Sequence, residues 1–151
     1  MRASNEPDFS TTITLDCTPR QAFDAINNVS GWWSENVDGA TDHLHAEFTF
    51  RYKDVHYTKQ RVVEFVPGKR VKWRILESSL NFVEDPHEWK GSDICFDITR
   101  HAGATEIRFT HVGLVPEREC YEACSNAWRY YVGDSLRNLI ATGQGEPDER
   151  E

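Results

Sequence analysis

No run of basic residues longer than Lys69-Arg70 occurs in this chain, and its formal net charge is −8. Phosphate backbones and anionic bilayers are gripped by clustered lysines and arginines, so nucleic acid and membrane surfaces are both disfavoured as partners. Nothing approaches the length of a transmembrane helix. The first eight residues hold no apolar run and are expected to carry no secretory leader, which points to the cytoplasm. Cys17, Cys95, Cys120 and Cys124 lack the CxxC spacing of a zinc site. In a reducing compartment they read as small core hydrophobes, although Cys120 and Cys124 stand one helical turn apart. A P-loop, a dinucleotide fingerprint, a GxSxG elbow and a Ser-His-Asp order are all missing. Cofactor-dependent catalysis is therefore disfavoured, and neither a cofactor nor a metal is expected. There is also no internal repeat and no low-complexity linker; 151 residues make one domain with a core of its own.

What the chain has in quantity is aromatic area: five Trp, five Tyr and eight Phe. Such rings bury much surface each and commonly wall apolar pockets. Four segments alternate apolar and polar residues with a period of two. They are Ala46, Phe48, Phe50, Tyr52; then Val71, Trp73, Ile75; then Ile94, Phe96, Ile98; and Ile107, Phe109, His111. That is the pattern of an antiparallel sheet covered on one face. An earlier strand is expected over 9–17, and Pro67-Gly68 and His101-Ala102-Gly103 read as turns. The strand near 55–66 carries conflicting parities, with Tyr57 and Phe65 in one set and Val62 and Val66 in the other. A bulge would reconcile them, but its inward face cannot be read.

Thr18-Pro19-Arg20-Gln21 opens a short helix: Thr18 caps, Pro19 suits the first turn, and Gln21 completes a capping box. A second short helix or turn holds Trp32 and Trp33. One long helix is expected from about Glu117 to Thr142, with Gly143 as its left-handed end. Cys124, Trp128, Tyr131, Ser135 and Leu139 form its apolar stripe. The expected architecture is α+β: a curved antiparallel sheet of about six strands, two short helices, and one long C-terminal helix packed across it. Residues 1–8 and 144–151 are polar and expected to be flexible, with a single domain over 9–143.

This order resembles the helix-grip domains of the START-like superfamily (SRPBCC), and within it the heat-shock-protein-90 ATPase activator-like branch. The resemblance is carried by Thr18-Pro19 to Phe23, Gly31-Trp32-Trp33, Val66-Pro67-Gly68-Lys69-Arg70-Val71, Phe109-Thr110-His111-Val112-Gly113-Leu114, and Trp128 through Ser135-Leu136 to Leu139. It implies a fold in which the sheet grips the long helix and a small molecule fits between the two.

Three functions follow, in this order. The first is non-catalytic binding of a small hydrophobic or amphipathic ligand between sheet and helix. Trp32, Trp33, Phe48, Phe50, Trp73, Ile75, Phe96, Phe109, Cys124, Trp128 and Tyr131 would line such a site, and His111 and Tyr57 would orient polar atoms. The second is a stress-related co-chaperone acting through its outer surface, as the resemblance implies. The third is a cyclase-like or dehydratase-like enzyme with His111 as acid or base. Trp73 and Trp128, on opposite walls, would fill the interior if they met. The chain is expected to be a monomer or a homodimer.

Overall fold

The computed structural model describes residues 8–150. The expectation of a flexible N-terminus falls, but for Asp8, outside the described residues. Strand β1 (Phe9–Leu15) is followed by α1 (Pro19–Asn27), α2 (Val29–Trp32) and a two-residue strand β2 (Val37–Asp38). Five longer strands follow: β3 (Glu47–Tyr52), β4 (His56–Val66), β5 (Arg70–Leu80), β6 (Asp93–His101) and β7 (Ala104–Val112). The C-terminal helical run comprises α3 (Tyr121–Tyr130), a π-helical turn (Tyr131–Leu136) and α4 (Arg137–Thr142).

All seven strands form one antiparallel sheet in the order β1-β7-β6-β5-β4-β3-β2. The count exceeds the expected six because Val37–Asp38 pairs with Thr49 and Phe50 of β3. Two residues give no periodicity to read, so this edge strand is invisible to sequence pattern. Strand β1 crosses to the opposite edge and pairs with β7 in the register Ile13 to Ile107.

Local chemistry explains the first helix. Thr18 Oγ1 accepts from Gln21 N at 3.0 Å and Gln21 Oε1 accepts from Thr18 N at 2.8 Å, the reciprocal capping expected there. Ala22, Phe23 and Ile26 then bury one side. The last helix starts four residues later than expected, because 116–120 form turns in which Arg118 N bonds Val115 O and Tyr121 N bonds Arg118 O. Glu88 Oε1 accepts from Cys120 N at 3.2 Å and fixes the true start. Gly143 ends the run at φ 86°, a conformation glycine adopts without a Cβ clash.

Strand β4 resolves its own parity conflict. Thr58, Gln60 and Val62 are buried. The register with β5 slips between Val62 and Glu64, and beyond the slip Phe65 packs inward against Phe23 with centroids 4.9 Å apart. The bulge lets both parity sets face the core in turn. Tyr57 lies on the outer side, where the Arg51 guanidinium covers its ring at 4.9 Å. That outer face is charged and paired, as in Arg74 with Asp93 at 2.9 Å.

The end of the chain runs back rather than leaving the domain. Asp148 N donates to Trp33 O, and Glu35 N donates to Asp148 O. Gly145 passes so near α2 that a Cβ there would stand 2.3 Å from Gly31 O. These bonds bring Asp148 back against the domain beside Trp33 and Glu35.

Candidate ligand cavity

The interior between sheet and helices is divided. Toward β5, β6 and β7 it is filled: Trp32, Trp73, Phe96 and Phe109 are each buried. Trp73 and Phe96 centroids lie 5.1 Å apart, Phe96 and Phe109 5.3 Å, and Trp32 and Trp73 6.4 Å. Phe48 meets Trp73 edge to face at 5.1 Å, and Ile75 continues the same inward row. This end is close-packed.

Toward β3 and the start of β4 the packing opens into a cavity of ≈ 340 Å³. The cause lies on α3. Ala123 and Ala127, one turn apart, occupy the cavity side of the helix and leave a gap that larger side chains would close. Trp33, Phe50 and Trp128 form its inner end; Trp33 stacks on Phe50 at 4.1 Å and sits 5.2 Å from Trp128. His56, Trp89 and Cys124 line its flank, and Tyr131 and Asp148 close one side. Tyr131 Oη donates to Asp148 Oδ2 at 2.6 Å, tying helix to tail. Burial, reinforced by that carboxylate, pushes the Tyr131 phenol well above its ordinary range. The π-helical turn begins at Tyr131 and carries Ser135, whose Oγ donates to Trp32 O and accepts from Glu146 N. It locally re-spaces the helix side facing the tail. At the mouth stand Tyr52, Phe82 and Tyr130, exposed by 37%, 45% and 40%.

Of the thirteen side chains expected from sequence, the structure brings Trp33, Phe50, Cys124, Trp128 and Tyr131 to the cavity. Trp32, Phe48, Trp73, Ile75, Phe96 and Phe109 lie in the filled core behind it, and Tyr57 faces out. Trp73 lies in the filled core and Trp128 at the inner end of the cavity, so the bulk of the two indoles does not close it.

His111 points inward as its parity implied, but it is enclosed. Trp128 Nε1 donates to His111 Nδ1 at 3.1 Å. An indole nitrogen only donates, so Nδ1 accepts and the proton of the neutral ring sits on Nε2. From there it donates to Ser92 Oγ at 2.9 Å, and Ser92 donates to Trp89 O at 2.6 Å. The space beside this ring holds no volume for even a water molecule. Burial, with His56 nearby, pushes its pKa down to about 3.

His56 escaped sequence reading altogether. Its ring lines the cavity, 4.5 Å from the Trp89 centroid and perpendicular to it, and its Nε2 is buried without a hydrogen-bond partner. Burial pushes its pKa down to about 4, so it is neutral at pH 7. The signal was present as His56, Thr58, Gln60 at spacing two, but polar residues do not announce an inward face. Cys120 and Cys124 share a hydrogen bond that, with burial, holds the Cys120 thiol far above its ordinary range, so a reactive thiolate is disfavoured there. No group of His, Cys, Asp and Glu suited to a metal occurs among the described residues.

Comparison with solved structures decides the architecture. Aha1 from Colwellia psychrerythraea, determined in solution as a dimer, superposes with a TM-score of 0.74 at 20% identity, covering 92% of this chain and 99% of that one. The fold is the helix-grip fold. DynU16, a protein of the dynemicin biosynthetic locus, matches at TM-score 0.67 and 17% identity over 95% of this chain and 52% of its own. CalU16 from Micromonospora echinospora matches at 0.62 and 10%, covering 88% and 74%. At these identities the likeness speaks for the helix-grip architecture alone, which is the architecture the sequence resemblance implied. No family model and no curated protein matches the chain. No helix among the described residues is long and apolar enough to cross a membrane.

Proposed function

We propose that this helix-grip domain binds a small hydrophobic or amphipathic molecule in the cavity between β3–β4 and α3, without transforming it. The observation that carries the reading is the cavity itself. Its ≈ 340 Å³ falls within the size of small-molecule sites, and its walls are aromatic. Tyr52, Phe82 and Tyr130 at the mouth add an apolar entry surface, which soluble domains seldom expose without use. The enclosed and satisfied state of His111 removes the main support for an acid–base enzyme built on that ring.

Native mass spectrometry of freshly purified protein, followed by organic extraction, tests this reading. A stoichiometric hydrophobic adduct is expected on the wild type. It should be absent from Ala127→Trp, which sets an indole across the gap. An adduct retained at equal stoichiometry by Ala127→Trp would contradict the assignment of the cavity.

A second reading draws on the likeness to an Aha1 dimer over nearly the whole of both chains. On that reading the domain self-associates and stimulates a heat-shock-protein-90 ATPase from its outer surface, in the cytoplasm. Adding the protein to the chaperone should then raise ATP turnover; no rise at saturating amounts ends it.

A further inference from the structure

His56 and Trp89 differ from the other polar groups around the cavity. Tyr131 donates to Asp148, Tyr130 donates to Glu146 O, and Trp128 donates to His111. The Trp89 indole N–H, in the same wall, is buried without a hydrogen-bond partner, and an indole nitrogen can only donate. The His56 Nε2 atom is likewise buried with no partner, in a ring that forms part of the cavity wall and that can donate or accept. A buried polar atom left unsatisfied is costly, so a native fold that keeps one at a cavity has a use for it.

We propose that His56 is the polar anchor of the cavity, and that the ligand is an apolar, ring-bearing molecule carrying an uncharged hydroxyl or carbonyl oxygen that hydrogen-bonds the imidazole. This rests on the cavity-binding reading above and adds the ligand's chemical class. Either oxygen suits the site. A neutral imidazole offers one donor and one acceptor, and a half-turn about χ2 exchanges the two edges of the ring, so the side chain can donate or accept. The surrounding faces of Phe50 and Trp89, both near-perpendicular to the His56 ring, accept flat apolar groups.

Charge at the site selects against ions. The imidazole is neutral at pH 7, and no lysine or arginine among the described residues lines the cavity. Among the described residues Asp148 is the one carboxylate in its wall, set beside Tyr131 and opposed to anions. An anionic head would lose its hydration against aromatic walls with no cation to replace it. A cationic head would be drawn to Asp148, whose carboxylate already accepts from Tyr131.

The test is an NMR titration at pH 7.5 of wild type, His56→Phe and His56→Gln. The probes are naphthalene, 2-naphthol, 2-acetylnaphthalene, 2-naphthoate and 2-naphthylmethylammonium. At least one of the two neutral oxygen probes should bind wild type about tenfold tighter than naphthalene, because a site with a buried polar group penalises ligands that leave it unpaired. Whichever of the two does so identifies the oxygen as hydroxyl or carbonyl. In His56→Phe the advantage should fall to about twofold or less, and His56→Gln should restore part of it. Both oxygen probes binding no better than naphthalene to wild type would overturn the anchor while leaving the cavity reading intact. So would an advantage that survives in His56→Phe, or tightest binding by either charged probe. Failure of every probe, naphthalene included, would remove the cavity reading and the anchor together.

Discussion

The two ends of this interior are built from the same residue types and behave differently. Around Trp73, Phe96 and Phe109 the rings interlock and the space is used up. Around Trp33, Phe50 and Trp128 rings of the same kind frame a void, because the helix opposite contributes Ala123 and Ala127. Aromatic content alone therefore does not specify a binding site; the small residues facing it do. Two histidines repeat the lesson. His111 at the border of the filled end is satisfied on both nitrogens, whereas His56 in the open end keeps a buried nitrogen without a partner.

The largest break in this comparison should come from the filled end. Trp73→Ala removes a fully buried indole from a region with no slack and should cost about 3–5 kcal/mol in denaturant unfolding. A loss as small as that of a surface substitution would mean that this end is not close-packed.

Next, the two histidines should respond with different sign. His111→Phe leaves Trp128 Nε1 and Ser92 without their partner and should destabilise by about 1–3 kcal/mol. His56→Phe removes a buried atom that has no partner and should leave stability unchanged or slightly raised. Equal losses in both variants would erase the distinction between them.

Acid sharpens the same contrast. The unfolded chain protonates its histidines near pH 6.5, about the model-peptide value, while folded His56 and His111 stay neutral down to about 4 and about 3. Between those limits the unfolded state binds more protons, so stability is full above the unfolded pKa and falls as the pH drops. Unfolding curves across this window should show the fall. His111→Phe should remove the part that extends lowest in pH, and His56→Phe the part that ends near 4.

Smaller effects test the cavity wall. Tyr131→Phe deletes the bond to Asp148 and should cost about 0.5–1.5 kcal/mol, with faster amide exchange where the tail meets Trp33 and Glu35. Gly133→Ala should be the mildest change. Apart from its chain neighbours and the helix's own backbone, no atom lies within 4 Å of a Cβ placed there, so the helix gains propensity and stability should rise by about 0.5–1 kcal/mol in thermal unfolding.

Sequence pattern revealed the parts of this fold that obey regular periods. The four alternating strands, the Thr18–Gln21 capping box and the Gly143 end all appear where their residues placed them. Strand β2 was hidden by its length, and the inward face of β4 by polar side chains at His56, Thr58 and Gln60 together with a bulge. The start of α3 depends on Glu88, a residue 32 positions away, which local reading cannot foresee. For the cavity, sequence supplied the inward rings but not which of them meet a void. That depends on where Ala123 and Ala127 land, and on a tail whose polar composition gave no hint that Asp148 returns to Tyr131.

The division of the interior can be read in one experiment from the five indole N–H resonances of a nitrogen-15 spectrum during titration with naphthalene. Trp33, Trp89 and Trp128 line the cavity, while Trp32 and Trp73 lie in the packed core behind it. The account predicts saturable shifts of the first three indoles and little movement of the other two. No saturable shift at Trp33, Trp89 and Trp128, or equal shifts at all five, would contradict it.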